Sequence, residues 1–273
     1  MYLQQFKHLF GSGFNTTQSL ELLSVLNDVY PHRNPQLLYI PRPATNSIYE
    51  LLVGSLLGDA WSERHSPTSN CRIGFKQSGH SWKLEHIRNI KSILADAKLC
   101  NDIPLIPKPS KQHGFAHLRY TNQLYSVTFK TFTTKEFLFL HEGFYPGPLH
   151  KGMSKVIPPF IGEYLSPLGL ATLIADDGHW ARTYFTFCLE CFDDADLVYF
   201  CYVINILYDL DAYLQKRLPK KDSNGNVIEG EFTHRVCIPV HKIEKLRSIV
   251  LPYLVPGMRF RVGVTHKEGF IRV

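Results

Sequence analysis

Leu52-Val53-Gly54-Ser55-Leu56-Leu57-Gly58-Asp59-Ala60 and Leu170-Ala171-Thr172-Leu173-Ile174-Ala175-Asp176-Asp177-Gly178 are imperfect copies of one another. Each is an apolar run with small residues that ends in an acid, and the two acids, Asp59 and Asp177, lie 118 positions apart. Each copy is followed by basic and aromatic residues alternating with period two, the pattern of strands with one polar face and one buried face. The duplication predicts a pseudo-symmetric molecule with two matched carboxylates.

Around the first copy, Ser47 and Glu50 have capping-box spacing and are expected to open a helix toward Asp59. Arg72, Gly74 and Lys76 then alternate with Ile73 and Phe75, and Tyr125, Val127 and Phe129 alternate with Ser126, Thr128 and Lys130. Helical patterns over 81–97 and 134–144 complete an αββαββα unit. A passage rich in Pro and Gly, 146–159, leads to the second copy, where Ser166 is the expected N-cap and Pro167 a favoured first-turn residue. The order then recurs: a strand-like 182–191, a helix over 194–207, a hairpin at Asn224-Gly225 and a last helix over 240–250. The fold class is therefore α+β. Residues 1–46 are an amino-terminal extension, 47–150 the first repeat, 151–165 a linker, and 166–273 the second repeat with its tail.

A chain of 273 residues, 44% hydrophobic and 13% aromatic, can bury a sizeable core. Thirty Lys and Arg against twenty-four Asp and Glu give +6, a mild bias toward a polyanionic partner. No stretch approaches the length of uncharged apolar residues that a membrane span needs, and no secretory leader pattern opens the chain. The first Arg is Arg33, so no Arg-rich import peptide is visible, and a protein working in an organelle is expected to have been made there. The six cysteines read as free thiols of a reducing compartment. Cys188 and Cys191 form a lone C-x-x-C in a segment that reads as a strand, where i and i+3 point to opposite faces, so buried thiols are expected rather than metal ligands.

Gly54 and Gly58, like Ala171 and Ala175, are spaced i, i+4 and would let two helices approach closely. Paired in parallel through these stripes, the helices bring Asp59 and Asp177 together at their carboxyl ends. Two carboxylates at two negative helix ends repel. A divalent cation relieves that repulsion, and Mg²⁺ characteristically binds through one or two carboxylates plus phosphate oxygens. Acids beneath a basic sheet suit phosphodiester cleavage.

At these residues the chain resembles the LAGLIDADG homing endonucleases, in particular the single-chain, two-repeat, intron-encoded branch that shades into RNA maturases. The resemblance covers roughly residues 47–265 and implies two pseudo-symmetric αββαββα repeats, antiparallel sheets forming a DNA-binding saddle, and the motif helices packed at its centre. It places the catalytic, metal-binding acids at Asp59 and Asp177, with Ala60 and Gly178 beside them in the metal site and Asp176 as a secondary acid. It implies Mg²⁺ as cofactor, with Mn²⁺ as a substitute. Gln77, in the strand after the first motif, and Glu190, after the second, match polar positions beside the metal, although strand parity puts Gln77 off the basic face unless a bulge intervenes. Lys155-Val156-Ile157-Pro158 looks like the family's K-x-I-P segment, whose lysine is a basic site residue. Its counterpart falls on Arg261, which keeps the charge but cannot exchange a proton near neutral pH.

The resemblance implies base readout in the major groove from the saddle strands, with Arg64, Arg72, Lys76, Arg119, Lys130, Arg182, Tyr184, Gln215, Arg217 and Arg235 as candidates, and Lys220 and Lys221 on phosphates. The resemblance implies a monomeric, site-specific endonuclease that cuts both strands of a long, nearly asymmetric duplex site across the minor groove and leaves 3′ overhangs. A group I intron maturase and a non-cleaving DNA-binding regulator are the alternatives. The expected setting is the organelle that encodes the chain, mitochondrion or plastid, or a prokaryotic cytoplasm, with no membrane partner.

Overall fold

The computed structural model describes residues 46–109, 125–147, 155–216 and 234–264. In chain order the first repeat contains α1 (Ser47–Leu57), β1 (Trp61–Arg64), β2 (Cys71–Ser78), α2 (Ser81–Asp96), β3 (Lys108–Pro109), β4 (Tyr125–Lys130) and α3 (Leu138–Phe144), the last entered through a 3₁₀ turn at Lys135–Phe137. After the short α4 (Ile161–Tyr164), the second repeat contains α5 (Pro167–Asp177), β5 (Gly178–Trp180), β6 (Tyr184–Phe187), α6 (Asp194–Tyr208), β7 (Tyr213–Lys216), β8 (His234–Pro239) and α7 (Ile243–Val250). A 3₁₀ segment, Pro256–Val262, closes the described chain.

The two sheets have the same topology. Their orders are β1-β2-β4-β3 and β5-β6-β8-β7, and every pairing is antiparallel. Register sorts the residues by face. In the first sheet Ser62 opposite Ile73, Phe75 opposite Phe129 and Gln77 opposite Val127 form the buried face, and Glu63 opposite Arg72 and Lys76 opposite Thr128 lie on the other. In the second, Phe185 opposite Ile238 and Phe187 opposite Val236 are buried. The helices cover these apolar faces, and the core runs continuously through both repeats.

The helix α1 begins differently from the capping-box expectation. Asn46, not Ser47, is the N-cap, and its Oδ1 accepts from the N–H groups of Ile48 and Tyr49 at 3.0 and 3.1 Å. Glu50 is thereby released from capping and instead accepts from Ser166 Oγ at 2.8 Å. Ser166 is itself the N-cap of α5, with Pro167 in the first turn. The starts of the two motif helices are thus tied to each other.

The helices pack in parallel, with Gly54 against Gly169 and Gly58 against Asp176. A Cβ on Gly54 would lie 2.1 Å from the Gly169 carbonyl oxygen, so the backbones touch. This corrects the expected stripe on the second helix. Ala171 and Ala175 are buried, but the closest approaches fall on Gly169 and Asp176, about two turns apart on the face turned to α1.

The 155–165 passage is also more than a linker. Ile157, Phe160, Ile161, Tyr164 and Leu165 are buried, and Tyr199 of α6 donates from its hydroxyl to the Pro159 carbonyl at 2.7 Å. Cys188 and Cys191 correct a second expectation: they lie beyond the end of β6 and are exposed, whereas the other four cysteines are buried. Among the described residues no helix is long and apolar enough to cross a membrane.

Candidate active site at the ends of the paired helices

Because α1 and α5 run parallel, their carboxyl ends converge, and each delivers an aspartate. Asp59 follows the end of α1, and Asp177 is the last residue of α5. Asp59 is held from three directions, two at its carboxylate and one at its backbone N–H. Gln77 Nε2 donates to its Oδ2 at 2.7 Å, Lys83 Nζ stands 3.6 Å from the same oxygen, and the Asp59 N–H donates to Asp176 Oδ2 at 3.3 Å. Gln77 thus reaches the acids from the buried face of β2, because they lie on the helix side of the sheet. The β2–β4 ladder runs unbroken through it, so no bulge is needed.

Asp176 lies at the middle of the constellation. Its Oδ1 accepts from Gln77 Nε2 at 2.8 Å and lies 3.3 Å from His86 Nε2, and its residue is only 6% exposed. Gly58 is the residue opposite, and a side chain there would strike the Asp176 Cβ and Oδ2 at 2.7 Å. Lys83, His86 and the reach of Asp176 into the first repeat were missed in the sequence. The i, i+3 spacing of Lys83 and His86 on α2 is the local signal that could have placed both on one face.

The expected basic pair is held in matched positions. Lys155 Nζ donates to the carbonyls of Gly58 and Ala60 at 3.0 and 2.9 Å. Arg261 donates from NH2 to the carbonyl of Asp176 at 3.2 Å and from NH1 to that of Gly178 at 2.9 Å. Each cation takes one carbonyl at a helix end, Gly58 or Asp176, and one two residues further on, Ala60 or Gly178, and sits where the helix dipole is negative. Ala60 and Gly178 therefore have their carbonyls turned to these cations, leaving each oxygen one remaining lone pair for any other partner.

The charges are strained by proximity. Burial, then the charges of Asp59 and Asp176, push Asp177 up to about 7, against the pull of Lys155 and Lys83. Burial and the charge of Asp176 also raise Asp59, opposed by Lys83 and Gln77. Lys155 is lowered by burial while the neighbouring acids hold it up. Among the described residues no group of three or more His, Cys, Asp or Glu side chains is arranged to enclose a metal by itself. The donor set suits a hard cation that takes two carboxylates and completes its shell with phosphate oxygens and water. The carbonyl oxygen of Gln77 is buried and has no hydrogen-bond partner among the described residues.

The second half of the site is not a copy of the first. Counting from the matched acids, Trp61 opposite Gly74 corresponds to His179 opposite Thr186, so the place of Gln77 falls on Leu189, which is fully buried. Glu190 lies one residue further, in the turn after β6 beside Cys188 and Cys191, whose thiols are raised by burial first and by its charge in addition.

Of the expected contact residues, Arg72, Lys76 and Lys130 lie on the open face of the first sheet. Arg72 Nε and Lys130 Nζ both bind Glu63, at 2.9 Å and at 2.7 and 2.9 Å. Burial pushes Glu63 upward, but hydrogen bonds from Lys130, Trp61 and Arg72 overcome it and hold the carboxyl at about 2. Arg64 is a correction: it pairs with Cys71 on the helix side, where it binds the Ser69 and Pro67 carbonyls and Glu142, so it is not on the open face. Arg182 is in the β5–β6 turn with φ of 70°, not on a strand. Tyr184, Gln215 and Arg235 share the open face of the second sheet. Arg119, Arg217, Lys220, Lys221 and the hairpin at 224–225 lie outside the described residues.

Residues 49–229 match the LAGLIDADG DNA endonuclease family, and the chain belongs to it. It is 28% identical over 223 residues to the cytochrome b mRNA maturase bI2 of Saccharomyces cerevisiae, covering 81% of this chain and 48% of that protein. The chain thus spans about half the length of that relative. The DNA endonuclease I-ChuI of Chlamydomonas applanata is 25% identical over 224 residues, covering 80% of this chain and 95% of that protein. The homing endonuclease I-WcaI, solved bound to its DNA recognition sequence, shares the fold with a TM-score of 0.60 at 18% identity, covering 97% of this chain and all of that one.

Proposed function

We propose that this chain is a monomeric, site-specific endonuclease that hydrolyses both strands of a DNA duplex across the minor groove, with Mg²⁺ or Mn²⁺, and leaves 3′ overhangs. The observation that carries the reading is the convergence of Asp59 and Asp177 at two parallel helix ends, each flanked by a cation bound to equivalent carbonyls. Asp59 and Asp177 would hold the metal. A divalent ion there would polarise the scissile phosphate and lower the pKa of a bound water. Gln77 orients Asp59, Lys155 and Arg261 supply positive charge near the phosphate, and the open faces of the two sheets contact backbone and base edges.

Of the matched pair of cations only the lysine has a side chain able to exchange a proton, so the two strands are expected to be cut at unequal rates. The similarity to mRNA maturases supports a second reading, in which the same chain binds a group I intron RNA and assists its splicing. Origin in the organelle that encodes it fits both readings.

The test is cleavage of a host-derived or randomised duplex library by the full chain with Mg²⁺, with Ca²⁺ and with Asp59→Asn/Asp177→Asn as controls. Discrete cuts with 3′ overhangs that need Mg²⁺ and both acids support the endonuclease. Binding without cuts on a library containing the insertion site favours the RNA reading or a non-cleaving DNA-binding regulator.

A further inference from the structure

Asp176 has no counterpart in the first motif, where the matching position is Gly58. A small residue there suffices for the helices to pack. An acid must instead be accommodated among buried neighbours, and an unpaired carboxylate in such a place is costly. Asp176 is accommodated by donors from the opposite repeat, Gln77 Nε2 at 2.8 Å and the Asp59 N–H at 3.3 Å, with His86 Nε2 3.3 Å away. The Gln77 amide nitrogen carries two protons, and the structure assigns one acceptor to each, Asp176 Oδ1 and Asp59 Oδ2.

We infer that Asp176 is a positioning residue which, acting across the repeat boundary, fixes the Gln77 amide and through it the Asp59 carboxylate, so that only one of the two half-sites is braced in this way. The inference rests on the endonuclease reading for its catalytic consequence, but its structural content does not. The second half-site cannot be braced alike. Gly58 has no side chain to offer, and the place of Gln77 is taken by buried, apolar Leu189. Outer-shell partners of this kind commonly change metal affinity or activity by about 10–100-fold when removed.

Two measurements on the full chain test it. The first follows solvent exchange of the Gln77 side-chain amide by NMR in metal-free, DNA-free protein, the signal being assigned from its loss in Gln77→Leu. The amide is protected in the wild type, exchanges at least about tenfold faster in Asp176→Ala, and stays protected in Asp176→Asn, which keeps an acceptor oxygen. Unchanged protection in Asp176→Ala overturns the inference. The second follows nicking of each strand of an end-labelled target separately. Asp176→Ala shifts the ratio of the two strand rates by about 10–100-fold, Asp176→Asn restores most of it, and Gln77→Leu reproduces the shift, with no further loss in the double variant. Equal slowing of both strands by Asp176→Ala overturns the inference as well. Gln77 lies on β2, so Gln77→Leu alters no side chain of α1 or α5 and keeps the question decidable if Asp176→Ala misfolds. A wild type that cuts no DNA removes the endonuclease reading, while the exchange measurement still decides whether Asp176 positions Gln77.

Discussion

Lys155 and Arg261 hold equivalent carbonyl pairs, Gly58 and Ala60 for the lysine, Asp176 and Gly178 for the arginine, 118 positions apart in each case. A charged hydrogen-bond donor closes each motif helix, whatever else it does. Lys155→Met is therefore expected to lower unfolding free energy by about 1–3 kcal/mol, and Lys155→Arg to recover most of it. Urea melts compare the three proteins. Equal stability of Lys155→Met and wild type would deny the lysine any structural role.

The two acids should separate binding from cleavage. Asp59→Asn and Asp177→Asn keep the shape of the site and remove its charge, so each is expected to slow double-strand cleavage by at least about 100-fold with DNA affinity largely kept. Gel shifts in Ca²⁺ alongside Mg²⁺ cleavage rates check this.

Protonation gives an independent handle. Asp177 sits at about 7 in the fold, above its ordinary 3.8, so its protonated form favours folding. That contribution is complete below about pH 4 and is lost as pH rises through about 7. Glu63, held near 2, works in the other sense and only at much lower pH. The metal-free protein should thus melt lower at pH 7.5 than at pH 5, and Asp177→Asn should flatten that slope. Ca²⁺ affinity should rise across the same interval, because the ligands must lose their protons to bind. Thermal melts in chelator and calcium titrations at several pH values measure both.

Gly54→Ala inverts the usual helix rule. In an exposed helix the change gains up to about 1 kcal/mol. Here the new Cβ meets the Gly169 carbonyl at 2.1 Å, and separating the helices is expected to cost about 1–3 kcal/mol or more. Cleavage should fall further than stability, since the same separation moves Asp59 from Asp177. A melt and a cleavage rate on one preparation decide it.

Glu63 restrains two cations on the open face, Arg72 and Lys130. Glu63→Gln releases them and should tighten binding to DNA of any sequence. Arg72→Ala or Lys130→Ala should reduce the slope of log affinity against log salt by about 1 each. Fluorescence anisotropy at several salt concentrations reads both effects.

The period-two strands around Arg72 and Tyr125, the Ser166–Pro167 helix start and the two acids were legible because each rests on local chemistry. Asn46 caps α1 in place of Ser47, and Glu50 has a distant partner in Ser166 that no local pattern reveals. Gln77 was legible as a strand residue of the buried face, yet its approach to Asp59 depends on where the helices end beneath the sheet. Asp176 was visible as an extra acid, but its partners lie 99 and 117 residues away and belong to the fold.

The last described segment is clasped by the first repeat. Glu85 of α2 accepts from the Gly257 N–H at 2.9 Å, and Trp82 meets Phe260 edge to face, next to Arg261. Lys155, which follows the first repeat in the chain, closes that repeat's own motif helix. A chain severed between 147 and 155 would put Asp59 and Gln77 on one fragment and Asp177, Asp176, Lys155 and Arg261 on the other. Each piece would then be inert alone and competent only when its complement is present, so the molecule has the layout of a two-key lock.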